Sequence, residues 1–148
     1  GLIPARIEAG IADLIIPEVC FASENFIAWA TDIIRLLGPF TVNFDLMDRL
    51  MEIDQFKKAV CLSAASLKLQ SRFLPRLQKE ELDVVDMESA AFYCAAKKID
   101  RPAAAILTVT DIIGEKPSGR RYGSEEKSEF SRAFVRSARI VKTLIEAG

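Results

Sequence analysis

Hydrophobic residues recur along the chain at two spacings, one typical of strands and one typical of helices. Short apolar runs predict strands at residues 12–19, 59–63 and 83–85, and a longer run predicts one at 103–110. The last run is almost wholly apolar, which is typical of a strand buried on both faces. Pro17 indicates that the first strand ends there or lies at a sheet edge, because proline donates no backbone hydrogen bond.

Helical spacing fills the stretches between these runs. It predicts a first helix at residues 25–37, which Gly38-Pro39 would stop. Three more helices are predicted: one that begins after Asn43, one at 88–98, and one from Ser124 to about 146. A weaker helical pattern at 70–77 contains Pro75, which counts against a helix. The helix after Asn43 would bury Phe44, Met47, Leu50 and Met51, and the last helix, capped by Ser124, would bury Phe130, Ala133, Phe134, Ala138, Val141, Leu144 and Ile145.

The alternation of strands and helices predicts the fold class. We expect a three-layer α/β/α domain with a mixed, partly parallel central sheet that spans residues 1–148. The chain begins without methionine, on residues typical of the inside of a fold, so we expect an N-terminally incomplete domain. Residues 83–110 form a strand, helix, strand unit, whose two strands should be parallel.

Composition excludes several classes of function. The 148 residues carry a net charge of −1, which gives no reason to expect a nucleic acid or an anionic membrane as partner. The longest apolar stretches fall short of the ~20 residues that span a bilayer. Cys20, Cys61 and Cys94 are widely spaced in apolar segments, which predicts reduced core residues of a cytoplasmic protein.

The chain contains no histidine, which limits its chemistry. Ser-His-Asp and Cys-His catalysis are excluded, and three scattered thiols without CxxC spacing argue against a zinc site. Acid and base chemistry must therefore come from carboxylates, lysine, tyrosine or bound water.

Acidic residues follow two of the predicted strands. Asp86 and Glu88 come after the strand at 83–85, and Asp111 follows the strand at 103–110. Ligands of open α/β sheets bind at the carboxyl ends of strands, so we expect a crevice there. Glu88 begins a helix, where the dipole favours a negative charge, whereas the apolar strand before Asp111 favours a protonated carboxyl. One hydrogen-bond acceptor and one proton donor would result, although helix capping or a salt bridge would explain either acid equally well.

A pair of motifs carries a resemblance to a known family. Val-Asp-Met-Glu-Ser-Ala-Ala at 85–91, followed by Thr-Val-Thr-Asp at 108–111, resembles the C-terminal half of the nucleoside phosphorylase and nucleosidase superfamily. Residues 1–17 are similar to the family segment that leads into a Gly-Asp-hydrophobic strand, with Ala12 in place of glycine. The resemblance spans the chain but only the C-terminal part of a family member.

The resemblance implies roles for individual residues. Glu88 would accept hydrogen bonds from ribose hydroxyls, Met87 would pack against the sugar, and Asp111 would give a proton to a purine base as the glycosidic bond breaks. Ser63 and Leu67 are further candidates for substrate binding. Family members usually carry a base-stacking phenylalanine where this chain has Leu67, and Ser63 is equally typical of a turn residue at a strand end.

The resemblance also implies the reaction, which is cleavage of a nucleoside N-glycosidic bond, with purine favoured because of Asp111. Phosphorolysis, with phosphate as co-substrate, is placed ahead of hydrolysis, and neither needs a cofactor or metal. The family's phosphate-binding glycine loop and arginines correspond to positions upstream of Gly1, while Arg120 and Arg121 fit either a lid or a surface loop. We expect a small-molecule nucleoside partner and a homo-oligomer. The alternative is a truncated or degenerate relative that binds without turnover.

Overall fold

The computed structural model describes residues 1–4, 6–23, 35–64, 70–115 and 122–147, without the side chains of residues 70–72. Within this part, strands and helices follow one another in the predicted α/β manner. In chain order the elements are β1 (Leu14–Ser23), β2 (Leu36–Thr41), α1 (Phe44–Ile53), β3 (Lys57–Ser63), α2 (Gln70–Lys79), β4 (Val84–Asp86), α3 (Ser89–Lys98), β5 (Leu107–Thr108) and α4 (Ser124–Glu146).

Strand β1 organises a mixed sheet. It pairs in parallel with β3 and antiparallel with β2 and β5, and β3 pairs in parallel with β4. The predicted mixed α/β architecture is therefore confirmed. Pro17 neither ends β1 nor places it at an edge, because the register with β3 shifts between Pro17 and Val19 and the strand continues to Ser23. The irregularity accommodates the residue that donates no hydrogen bond.

Residues 1–3 lie between β4 and the segment that follows β5. Leu2 bridges to Val84 on one side and to Ile112 on the other. The Leu2 nitrogen donates to the Asp111 carbonyl at 2.8 Å, and the Gly1 carbonyl accepts from the Val85 nitrogen at 2.8 Å. β5 also pairs with β1. The pairings therefore run from β1 through β3 and β4 to residues 1–3 and return to β1 through β5, so that β4 and the segment 107–111 lie on either side of residues 1–3.

The direction of β5 corrects the prediction for residues 103–110. Leu107 and Thr108 form the whole of β5, and the segment is mostly half-buried rather than buried on both faces. β5 runs antiparallel to β1, whereas β4 has the same direction as β1, so the two strands are not the parallel pair we expected. β2 pairs with β1 from Val19 to Ser23 and leaves the N-terminal part of the same edge of β1 unpaired. β5 pairs with Leu14 and Ile15 in that part, where the N–H and C=O groups of β1 still need partners.

The predicted helix at 25–37 is wrong where it can be checked. Residues 25–34 lie outside the described part of the chain, but Leu36 and Leu37 belong to β2. Gly38, expected to stop a helix, lies inside that strand with a φ of +140°, and a Cβ there would stand 3.0 Å from the Cys20 carbonyl oxygen. Glycine therefore allows β2 to approach β1 closely, which the local sequence pattern did not reveal.

Helix α1 matches its prediction at the N-terminus and in half of its apolar stripe. The Asn43 side chain caps it by accepting from the Leu46 nitrogen at 2.9 Å. Met47 and Leu50 are buried, whereas Phe44 and Met51 are substantially exposed. α2 forms in spite of Pro75, and its residues Phe73 and Leu77 are buried in a cluster with Leu62 and Val85.

Helix α4 buries a narrower stripe than predicted. Phe130, Ala133 and Ile140 are buried, whereas Phe134, Val141 and Ile145 are exposed. Its N-cap is Gly123 rather than Ser124, and the Glu126 carboxylate accepts from the Gly123 nitrogen at 2.9 Å. Arg136 joins this helix to the end of α1, because two nitrogens of its guanidinium donate to the two carboxylate oxygens of Asp54. This hydrogen bonding lowers the pKa of the Asp54 carboxyl.

Two of the cysteines lie in the centre of the sheet. Cys20 and Cys61 are register partners on β1 and β3, and both are fully buried free thiols, whereas Cys94 is only partly buried. A hydrogen bond with Cys20, together with burial, raises the pKa of the Cys61 thiol well above its ordinary value. Cys20 and Cys61 are therefore core residues, as predicted, and the raised pKa leaves Cys61 with little thiolate character. Among the described helices, none has the length and hydropathy needed to cross a membrane.

The Asn43 cap provides a test of the fold. Asn43→Ala should lower the free energy of unfolding by about 0.5–2 kcal/mol, because the Leu46 nitrogen loses its acceptor. Urea denaturation of the two proteins measures this difference. Asn43→Asp keeps an acceptor and should stay close to wild type, so equal losses in both variants would contradict the assigned cap.

Candidate functional site

A pocket of about 210 Å³ opens between β4 and the segment that contains β5. Its lining consists of Gly1, Ile15, residues 84–88 and residues 107–111. Met87, Glu88 and Asp111 are thus brought together by the fold, although β4 and β5 are not parallel. Ser63 is not among the lining residues, and Leu67, like Arg120 and Arg121, lies outside the described part of the chain.

The turn between β4 and α3 presents two side chains to solvent. It consists of Met87 and Glu88, since β4 ends at Asp86 and α3 begins at Ser89. The Met87 side chain is 44% exposed, and Glu88 is exposed at the N-cap position without a capping hydrogen bond from its side chain. No described residue donates to the Glu88 carboxylate, so it is free to accept hydrogen bonds from a ligand at the positive end of a helix.

Asp86, two residues earlier, has a different environment. Its Oδ1 accepts from the Ser63 hydroxyl at 2.6 Å, and its Oδ2 accepts from the Ser89 nitrogen at 2.9 Å and from the Ser89 hydroxyl. The Ser63 oxygen in turn accepts from the Ala90 nitrogen at 2.8 Å. Asp86 therefore caps α3, while Glu88 remains unbonded. The sequence offers no signal for this division, because Asp86 and Glu88 are only two positions apart between a predicted strand and a predicted helix.

Asp111 is half-buried at the opposite wall of the pocket. The Thr110 hydroxyl donates to its Oδ2 at 3.2 Å, and among the described residues this is the hydrogen bond that its carboxyl makes. Most of the hydrogen-bonding capacity of Asp111 is therefore available to a ligand.

The charge of the lining is one-sided. Asp86, Glu88 and Asp111 contribute carboxyl groups, and no lysine or arginine is among the described residues that line the pocket. Within the same described part, no group of cysteine and acidic residues is arranged to hold a metal ion. The free carboxyl oxygens of Glu88 and Asp111 are thus suited to ligands that bring hydroxyl or N–H donors.

Tyr93 joins three segments of the core through its hydroxyl and was missed at the sequence level. Its hydroxyl donates to the Pro17 carbonyl at 2.9 Å and accepts from the Ala105 nitrogen at 3.1 Å. Burial raises the pKa of Tyr93, so the hydroxyl stays protonated. It connects α3 to β1 and to the segment that leads into β5, and a tyrosine on an otherwise apolar helix face was the available signal.

The contrast between the two acids predicts opposite effects on stability. Glu88→Gln should change the free energy of unfolding by less than about 0.5 kcal/mol, because the side chain is exposed and unbonded. Asp86→Ala should lower it by about 2 kcal/mol or more, because donors on β3 and α3 lose a charged acceptor. Urea denaturation measures both values, and a larger loss for Glu88→Gln would show that the roles are misassigned.

Comparisons with known proteins identify the family and the fold. The family model of the phosphorylase superfamily matches residues 59–146. The solved 5'-methylthioadenosine/S-adenosylhomocysteine nucleosidase of Campylobacter jejuni is similar in structure, with a TM-score of 0.76 at 13% identity over 95% of this chain and 64% of that one. No match was found among curated proteins.

Two Helicobacter pylori structures are also similar. A futalosine hydrolase mutant has a TM-score of 0.64 at 15% identity, over 100% of this chain and 62% of that one. A 5'-methylthioadenosine/S-adenosylhomocysteine nucleosidase, complexed with an aminopyrrolopyrimidine linked to a hydroxypyrrolidine, has a TM-score of 0.70 at 13% identity, over 100% and 65% of the two chains.

The three structures share a fold with this chain, which spans less than two thirds of the length of each of them. The family match covers more than half of the chain and includes Met87, Glu88 and Asp111. The chain therefore belongs to the phosphorylase superfamily.

Proposed function

We propose that this protein cleaves the N-glycosidic bond of a purine nucleoside. The observation that carries the proposal is the pocket in which an unbonded Glu88, an exposed Met87 and a half-buried Asp111 lie together. Each of these residues can serve a different part of the substrate, as the following steps describe.

The sugar is bound by the turn after β4. Ribose carries neighbouring hydroxyl groups, and an ionised Glu88 accepts hydrogen bonds from a pair of them. Met87 gives the sugar an apolar surface from the same turn. A volume of about 210 Å³ is below the ~300–1,000 Å³ of most ligand sites, which fits the sugar half of a nucleoside better than a whole one.

The base departs with the help of Asp111. When the bond between the anomeric carbon and the ring nitrogen breaks, its electron pair stays on the base and the sugar gains oxocarbenium character. In the proposed step Asp111 is the general acid whose proton passes to the purine ring, and the acceptor that attacks the anomeric carbon gives up a proton that restores the Asp111 carboxyl. General-acid help of this kind contributes ~10²–10⁴ in rate and requires neither histidine nor metal.

The acceptor is water rather than phosphate in the version that we favour. The sequence analysis placed phosphorolysis first. The similar structures are named as a nucleosidase and a hydrolase, which favours water as the acceptor. The purine preference is supported by the pyrrolopyrimidine in one of them.

A second candidate is a nucleoside-binding relative without turnover. It is supported by Leu67, which stands where family members usually carry a base-stacking phenylalanine. The roles of Ser63 and Leu67 in substrate binding, assembly as a homo-oligomer and a cytoplasmic location all stay predictions.

Replacement of Asp111 tests the mechanism. Asp111→Asn should lower the rate of purine nucleoside cleavage by ~10²–10⁴, because the amide cannot give up a proton to the base. Release of free base, followed by chromatography, measures the rate. Asp48→Asn, a matched change at an exposed position on α1, should leave the rate unchanged. Equal rates for wild type and Asp111→Asn would remove Asp111 from the reaction.

Withdrawal of phosphate tests the acceptor. A hydrolase should release free ribose at the same rate with and without inorganic phosphate in the buffer. A phosphorylase should stall without phosphate and yield a sugar phosphate when phosphate is restored. Binding of nucleoside, measured by calorimetry, without release of base in either buffer would support the non-catalytic candidate.

A further inference from the structure

We infer that Asp86 and Ser63 are positioning residues, which hold the Met87–Glu88 turn in the geometry that binds the sugar. The inference rests on the proposed function and assigns Ser63 a role different from substrate contact. It explains why both carboxylate oxygens of Asp86 accept hydrogen bonds from groups within the protein.

The two strands that end at the site are joined at the same level. Ser63 and Asp86 are register partners at the last positions of β3 and β4. Their side chains bond directly at 2.6 Å, and the Asp86 carbonyl accepts from the Ala64 nitrogen at 2.9 Å. Side chain and backbone therefore fix the residue from which the turn departs.

The other end of the turn is fixed by the same pair of side chains. The first N–H groups of a helix have no partner within the helix. In α3, the Ser89 nitrogen donates to Asp86 and the Ala90 nitrogen donates to Ser63. Ser63 and Ser89 are almost completely buried, so water does not replace these bonds at low cost.

Met87 and Glu88 therefore bridge two anchored points with two residues. Such a short connection leaves few backbone conformations, so the point from which the Glu88 side chain extends is set before substrate arrives. Both oxygens of Asp86 already accept hydrogen bonds, which leaves Glu88 as the acceptor for substrate. Loss of the network should therefore weaken sugar binding and leave the protonation step at Asp111 intact.

Kinetics of Ser63→Ala with a purine nucleoside test this assignment. We expect KM to rise about ten- to a hundredfold, the scale of a misplaced binding group, while kcat stays within about threefold and its pH profile is unchanged. Asp86→Asn keeps an acceptor for the helix and should raise KM less than Asp86→Ala does. Ser137→Ala removes a hydroxyl that bonds to the Ala133 carbonyl in α4 and is the matched control, with no change in KM.

Amide hydrogen exchange of the substrate-free chain provides a readout that does not depend on turnover. Ser63→Ala should speed exchange at Ala90 by at least about tenfold relative to wild type, because that amide loses its acceptor, whereas Ser137→Ala should not. An unchanged KM in Ser63→Ala, or a fall in kcat alone, would overturn the positioning role. If wild type cleaves no nucleoside, the proposed function fails, and unchanged exchange at Ala90 would then overturn the anchored turn as well.

Discussion

The shared hydrogen bonds of the Asp86 carboxylate are the constraint on which the site depends. β4 ends at Asp86 and α3 begins at Ser89, so the end of a strand and the start of a helix lie three residues apart. Both leave backbone groups that need hydrogen-bond partners, and Ser63 and Ser89 are buried at this point. Asp86 and Ser63 satisfy the first two amides of α3 and join β3 to β4 at the same time. A single carboxylate thus fixes three elements, and the turn between them has little freedom left.

Elements with strong local signals could be predicted from the sequence. α1 has a capping asparagine before a helical stripe, and α3 has a run of small and apolar residues bounded by a strand, so each local preference agrees with the fold. Glu88 and Asp111 line one pocket, as expected, but the expectation rested on a parallel arrangement of their strands that the structure does not have. α2 was discounted for Pro75, yet burial of Phe73 and Leu77 offsets the cost of the proline.

Elements defined by distant partners could not be predicted in this way. β2 depends on a glycine at positive φ that lets it approach β1, and the same residues look like a helix stop when read locally. The direction of β5 depends on its pairing with the part of β1 that β2 does not cover. The bond between Ser63 and Asp86 joins residues 23 positions apart, so no spacing rule links them. Topology and long-range polar contacts, rather than propensity, account for the errors.

The acidic lining of the pocket bears on the chemistry as a whole. A sugar that loses its base becomes positively charged, and carboxylates nearby favour that charge where water is partly excluded. The proposed reaction therefore depends on where the Glu88 carboxyl lies relative to the sugar. The Asp86 network fixes the backbone at both ends of the Met87–Glu88 turn, which makes this network the main determinant of how the sugar of the proposed substrate is held.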